Sequence, residues 1–435
     1  MSGELLKNVR IIDPVSNTDQ QADVLIVDGI IQQIQPQIVT NLDAIEVFNC
    51  QGMILGSGLI DLYSHTGEPG FEDRETLSSL MLAGLAGGFT HINVLPDTLP
   101  PVDTPATLSL LQQKTQSFSE SLPQLSFWGA LTQNIAGKQM SGLAELANTS
   151  IIGFADGKPL QDLVLLRRLL EYLKPFNLPI ALYCCDRALA MDGVMRYGYE
   201  SIYSGLPGIP VYAETAALST VLELVAEIQT PVHLMRVSTR RSVELIQSAK
   251  AQNLPITAST TWMHLLLNTT AISGSYSNQS LITPYNPNLN LDPPLGNPTD
   301  QAALIQGIQT GIIDAIAIDH TPSTYEEKTV PFANTPPGVI GLELALPLLW
   351  QTFVESGQWS ALELWQKLSL NPALCLGKTL NSIIPGKPAE LTLFNPKQAW
   401  KVEGYQLQSK STNTPWLMQE LMGRVVKTWC ASIDF

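Results

Sequence analysis

The chain has 435 residues, 45% of them hydrophobic and only 14% charged, and its 24 Lys and Arg against 39 Asp and Glu give a net charge of −15. The acidic balance argues against a nucleic-acid-binding role and against docking on anionic membrane. The low charged fraction points to a surface partly covered in a homo- or hetero-oligomer. No apolar run reaches membrane length, and Met1 leads into a polar segment rather than a signal peptide, so a cytoplasmic location is expected. Five cysteines (Cys50, Cys184, Cys185, Cys375 and Cys430) form no C-x-x-C pair, which points to reduced thiols and against a structural zinc. The vicinal Cys184 and Cys185 read as packing residues.

In chain order, LLKNVRIID and ADVLIVDGIIQQI read as short strands, with Asp28-Gly29 as a tight hairpin turn. Eight β-rich apolar runs follow: LIDLYSH, FTHINVLP, SFWGALT, IIGFAD, PIALYCC, PVHLMRVS, PITASTTW and DAIAIDH. Several intervals carry helical patterns, such as RETLSSLMLAGLAGG and TRRSVELIQSAKAQN, the latter opening after the capping pair Ser238-Thr239. Strands alternating with helices in this number predict a (β/α)₈ barrel of α/β class over residues 56–379. Residues 1–55 and 380–435, both strand-and-turn in character, predict one small β-sandwich domain built from the two termini. Polar or unusual residues (His65, Asp156, Cys185, Arg236 and Asp319) fall at strand ends, where such barrels place their chemistry. The Asn-, Pro- and Ser-rich segment from Asn268 to Pro298 is the candidate loop over the mouth.

The blocks EPGFEDRET, AGGFTHINVLPDT, GLPGIP, RVSTRRSVELI, DPPLGNPTDQAALIQGI, IDAIAIDHTP, IGLELALPLL and PGKPAELTLF together resemble the dihydroorotases, cyclic amidohydrolases of pyrimidine synthesis, over nearly the whole chain. The resemblance implies the amidohydrolase type of barrel. It also implies one or two zinc ions that activate water, an aspartate on the last strand that takes and returns the proton, and an arginine that grips the substrate carboxylate.

Residue by residue, this chain departs from that pattern. The first-strand histidine pair is Tyr63 and His65, the fifth-strand histidine is Tyr183, and the sixth-strand histidine is Arg236. Asp156 in GFADGKP is either the bridging ligand or its neighbour, with Ala155 in the ligand place. His65, Asp156 and Asp319 are the residual metal positions, and Asp319 holds the position of the family base. The family's carboxylate-binding Leu-Arg is Thr66 and Gly67, and two pocket asparagines are Asp97 and Asp292. These exchanges predict a pocket that repels an anionic substrate.

His91, His233 and His320 read as structural. His264 is a packed histidine or a vestige of the pocket, and Trp262 and Met263 are candidates to plug it. Arg236 beside Asp319 is placed to supply the positive charge a metal would have given. The expected function is therefore a non-catalytic dihydroorotase-like protein without a cofactor. Degenerate members of the family associate with aspartate carbamoyltransferase, which makes that enzyme the expected partner. The alternatives are an active dihydroorotase or related cyclic amidohydrolase with zinc, and a repurposed small-molecule-binding barrel.

Overall fold

A computed structural model describes residues 3–39, 45–116, 118, 121–274 and 282–431. Seven strands from the two ends of the chain form one continuous sheet, in the order Glu420–Trp429, Leu391–Lys401, Ile54–Ser57, Gly3–Asp13, Thr18–Val27 and Ile30–Gln35. The strand Ile45–Asn49 pairs in parallel with the first half of Gly3–Asp13. Leu6, Val24, Leu55, Leu391 and Leu393 share one core, so N- and C-terminal strands bury each other's apolar faces. At the Thr18–Ile30 hairpin, Asp28 (φ 48°) and Gly29 (φ 75°) are both left-handed, the backbone a two-residue turn needs to match strand twist.

Eight parallel strands among the described residues build the barrel. Leu59–Ser64, Phe89–Val94, Gln124–Gly129 and Gly153–Phe154 form one half. Ala181–Tyr183, Val232–Met235, Ile256–Thr261 and Ala315–Ala317 form the other. A bridge from Phe154 to Ile180 joins the halves. The eighth strand closes on the first through Asp319 N to Tyr63 O (3.1 Å) and His65 N to His320 O (2.8 Å). The buried Asp61 carboxylate adds a bond from Ile318 N (2.8 Å).

Strand alternation divides the barrel's residues. Leu182, Cys184, Leu234 and Ile316 pack in the large core shared with the helices. Tyr63, Trp128, Tyr183, Cys185, Met235, Ala315 and Ala317 fill a second cluster, the barrel interior, large side chains set against alanines. Cys184 and Cys185 thus face opposite ways, and all five cysteines are free. The helix Arg240–Ala251 starts where Thr239 accepts from Ser242 N.

The C-terminal domain also braces the barrel mouth. Buried Glu75 accepts from Lys410 N (3.0 Å) and from the Ser409 hydroxyl and faces His320 Nε2 (3.2 Å). Asn413 donates to Thr321 O (2.9 Å) and accepts from Ser323 N (3.2 Å). His320 is a structural residue of this brace. The mouth loop contributes Leu291 and Asp292 to the cavity wall, while its residues 275–281 lie outside the described residues. No helix is long and apolar enough to cross a membrane among the described residues.

Candidate active site

The barrel mouth holds a cavity of about 260 Å³. Its floor is a single hydrogen-bonded chain of four side chains from four strand ends. His65 Nδ1 meets Asp97 Oδ2 at 2.6 Å, and Arg236 Nη2 approaches His65 Nε2 at 3.0 Å. Arg236 Nε and Nη2 donate to Asp319 Oδ2 (2.7 Å) and Oδ1 (2.6 Å), and Nη1 donates to Gly157 O (2.9 Å). Two parallel bonds from a planar guanidinium are the strongest pairing a carboxylate can make with a side chain.

Of the three residues in the family's histidine positions, Arg236 meets both tyrosines. The Tyr63 hydroxyl accepts from Arg236 N (3.1 Å) and pairs with Ser259 Oγ (2.9 Å). The Arg236 guanidinium lies 5.7 Å from the Tyr63 ring centre and 5.4 Å from that of Tyr183, within cation–π range. Tyr183 OH donates to Asp292 Oδ1 at 2.5 Å, and Arg187 closes on the same carboxylate. Burial pushes both phenols well above their ordinary pKa, so they are neutral donors rather than phenolate ligands.

Burial works against the charge on Asp319, but Arg236 and His65 outweigh it and hold the carboxyl at about 2. Burial likewise opposes Asp97, and His65 keeps it below the usual carboxylate range. For His65, burial lowers the pKa, and Asp97 and Asp319 raise it to about 9, which favours imidazolium. The geometry favours the neutral ring. Arg236 Nη2 at 3.0 Å needs a lone pair on Nε2, and Asp319 Oδ1 is 3.5 Å from Nε2 and already bound to Arg236. A second cation about 4 Å from the guanidinium would cost about 4 kcal/mol. We therefore assign the proton to Nδ1, donated to Asp97.

A zinc site needs three or four free nitrogen, sulfur or oxygen donors. Here both oxygens of Asp319 and both nitrogens of His65 are engaged, a guanidinium stands between them, and two ligand positions are neutral phenols. Among the described residues no group of three or more His, Cys, Asp and Glu side chains converges as a ligand set. These residues do not fit a zinc ion.

Asp156 corrects one expectation. Its carboxylate accepts from Leu131 N (2.8 Å), Thr132 N (3.1 Å) and Thr132 Oγ1 (2.5 Å), and it is absent from the wall of the mouth cavity. It caps a loop; burial raises its pKa despite these donors. Gly67 also lies off the cavity wall. A Cβ there would fall 2.0 Å from Phe71 O and 2.5 Å from Glu75 O, so the position has no room for any side chain.

Two of the three cavity carboxylates are paired with cations, Asp292 with Arg187 and Asp319 with Arg236, while Asp97 accepts from the neutral His65; Arg74 and Lys158 also line the wall. Arg74 and Lys158 lie inside the blocks EPGFEDRET and GFADGKP without having been singled out there, and Arg187 lies in no such block. His264 does face the cavity, with Nδ1 2.7 Å from Thr261 Oγ1, and burial lowers its pKa to about 4. Met263 lines the wall. Trp262 instead packs on Trp416, 5.3 Å between ring centres, and plugs nothing. His233 is held inside the barrel by Thr257 and Ser259, and His91 lies beside Thr90 Oγ1 and Glu390.

Closed barrel, appended two-ended sheet and mouth residues together define an amidohydrolase-type protein. Residues 212–431 match the amidohydrolase family. The chain is 42% identical to a probable dihydroorotase-like protein of Synechocystis sp., over 98% of this chain and 99% of the relative. It is 34% identical to a dihydroorotase of Pelobacter propionicus, over 98% and 97% of the two chains. The chain therefore belongs to the dihydroorotase family. In fold it is similar to the L-hydantoinase (dihydropyrimidinase) of Arthrobacter aurescens, with TM-score 0.81, 19% identity and coverage of 100% and 98%.

Proposed function

We propose that this chain is a non-catalytic member of its family, without bound zinc, that serves as a structural partner of aspartate carbamoyltransferase in pyrimidine synthesis. The observation that carries the catalytic half is Arg236. Its guanidinium stands in a ligand position and engages both oxygens of Asp319, the residue in the place of the family base. A carboxylate clasped in this way, with its pKa at about 2, is a poor proton acceptor at neutral pH. The partnership rests on the family resemblance, in which degenerate members hold the transcarbamoylase in a larger assembly. The expected location is the cytoplasm.

The open cavity, with His65 and Asp319 on its floor, favours a second reading as a working cyclic amidohydrolase. Three measurements on the full-length protein separate the two. Zinc is expected below one equivalent per chain after dialysis from zinc-supplemented protein. Dihydroorotate hydrolysis is expected at background with added metal. Co-purification with aspartate carbamoyltransferase from the source organism is expected at fixed stoichiometry. Stoichiometric zinc together with turnover would establish the second reading, and the absence of the transcarbamoylase would end the partnership.

A further inference from the structure

The arginines around the mouth cavity are each paired with a carboxylate: Arg236 with Asp319, Arg187 with Asp292, and Arg74 with Glu327 through two parallel bonds. The histidines on the wall, His65 and His264, are neutral. Two charged groups on the wall are left without a counter-charge. One is a carboxylate, Asp97, and the other an ammonium, Lys158.

Asp97 belongs to the floor. Its Oδ2 accepts from the neutral His65 ring at 2.6 Å, and its Oδ1 has no hydrogen-bond partner among the described residues. A neutral donor leaves the carboxylate's charge in place, and an acceptor left unpaired calls for an explanation. The side chain is 26% exposed and lines the cavity. Lys158 follows Gly157, whose carbonyl takes Arg236 Nη1 at 2.9 Å, so the backbone holds the lysine beside the floor. Its ammonium makes no hydrogen bond or ion pair among the described residues. Asp156 feels its charge, but that carboxylate already accepts from Leu131 N, Thr132 N and Thr132 Oγ1 and lies off the cavity. Much of the remaining wall is apolar, from Phe71, Met263, Leu291, Ile318 and Val339.

We propose that this cavity binds a small zwitterion of the free amino acid class, its ammonium on Asp97, its carboxylate on Lys158 and its carbon skeleton against the apolar wall. Charge balance carries the assignment. A simple anion would leave Asp97 uncompensated, and a simple cation would leave Lys158 so. A zwitterion satisfies both through charge-assisted hydrogen bonds, the strong kind, and adds no net charge to a chain of −15. Size agrees, because about 260 Å³ lies at the small end of ligand sites. The ligand differs in class from the anionic substrate that the family resemblance implies, since Asp97 stands where the family has a neutral asparagine. The inference rests on the metal-free reading of the floor.

The full-length chain, dialysed free of small molecules and with its zinc content measured, is the material for the test. Thermal denaturation is followed with each of the free L-amino acids, β-alanine and γ-aminobutyrate at about 10 mM, where a millimolar Kd is close to saturation. At least one is expected to raise the midpoint, and calorimetry then gives its Kd. Its N-acetyl and amide derivatives, each lacking one charge, are expected to bind at least about 10-fold more weakly. Asp97→Asn and Lys158→Met are expected to cause the same loss, and Lys138→Met, at a lysine off the cavity, none. Asp97→Asn is also expected to remove the discrimination against the N-acetyl derivative, and Lys158→Met that against the amide. No shift with any of these compounds in zinc-free, hydrolytically inert protein overturns the inference and leaves the proposed function standing. So does binding that neither substitution weakens, or binding of simple dicarboxylates in place of zwitterions. Stoichiometric zinc with dihydroorotate turnover would end both the inference and the proposed function.

Discussion

Arg236 and Asp319 end the sixth and eighth barrel strands with the same left-handed backbone, φ 55° and 53°, and meet through hydrogen bonds of 2.6 and 2.7 Å. Such a conformation costs a non-glycine residue about 1 kcal/mol or more and persists where the surroundings over-determine it. Here the surroundings include Tyr63, whose hydroxyl takes the Arg236 amide, and Gly157, whose carbonyl takes a third guanidinium hydrogen.

Removing one partner of this buried pair leaves the other uncompensated. Arg236→Ala is expected to lower stability by about 3–5 kcal/mol, and Arg236→Met combined with Asp319→Asn to recover most of the loss. Urea denaturation of wild type, the single variants and the double variant measures both. An Arg236→Ala protein as stable as wild type would end the charge-compensation account.

The same pair sets an acid limit. The Asp319 carboxyl lies at about 2 in the folded chain, against about 3.9 unfolded. The stability it contributes, about 2–3 kcal/mol, is present above pH 4 and lost as pH falls from about 4 to 2. Stability measured against pH is expected to slope through that window in wild type and to slope less in the Arg236→Met, Asp319→Asn double variant. Equal slopes would show that other carboxyls carry the acid transition.

His65 offers a direct view of the network's protons. At pH 7 its ¹⁵N shifts are expected to show a protonated Nδ1, bound to Asp97, and an unprotonated Nε2, bound to Arg236. Two protonated nitrogens persisting to pH 9 would mean that the two carboxylates prevail over the guanidinium.

Gly67 limits how far the site can be rebuilt. Gly67→Ala is expected to destabilise by about 1–3 kcal/mol, because its Cβ would meet the backbone of Phe71 and Glu75. Restoring Tyr63→His, Tyr183→His and Arg236→His together is expected to give no dihydroorotate hydrolysis, since the carboxylate grip is still missing. Turnover near 1 per second in that triple variant, within the ordinary enzymatic range, would refute the importance assigned to Gly67 and Asp97.

The eight barrel strands were legible because they recur as β-rich runs, five of them followed by a polar or unusual residue, and the hairpin at Asp28-Gly29 because its turn needs that backbone. Arg236 and Asp319 could be matched because strand ends converge on one mouth. The direction of Asp156 could not be read. Its strand, Gly153–Phe154, is only two residues long, so the loop after it, captured by Leu131 and Thr132, sets where the carboxylate points. Trp262 and Met263 were read as one unit, yet they open the helix Trp262–Leu266, where consecutive residues point about 100° apart. One faces Trp416 and the other the cavity. The crowding at Gly67 comes from chain folding back at Phe71 and Glu75, which no local pattern encodes.

Every member of the network on the cavity floor is covalently part of the chain: Asp97, His65, Arg236, Asp319, the Tyr63 hydroxyl and the Gly157 carbonyl. A site assembled around a bound ion carries the logarithm of that ion's free concentration in its stability. If the chain is metal-free as proposed, this network contains no such concentration, and its stability is expected to be unchanged by a chelator or a competing ion.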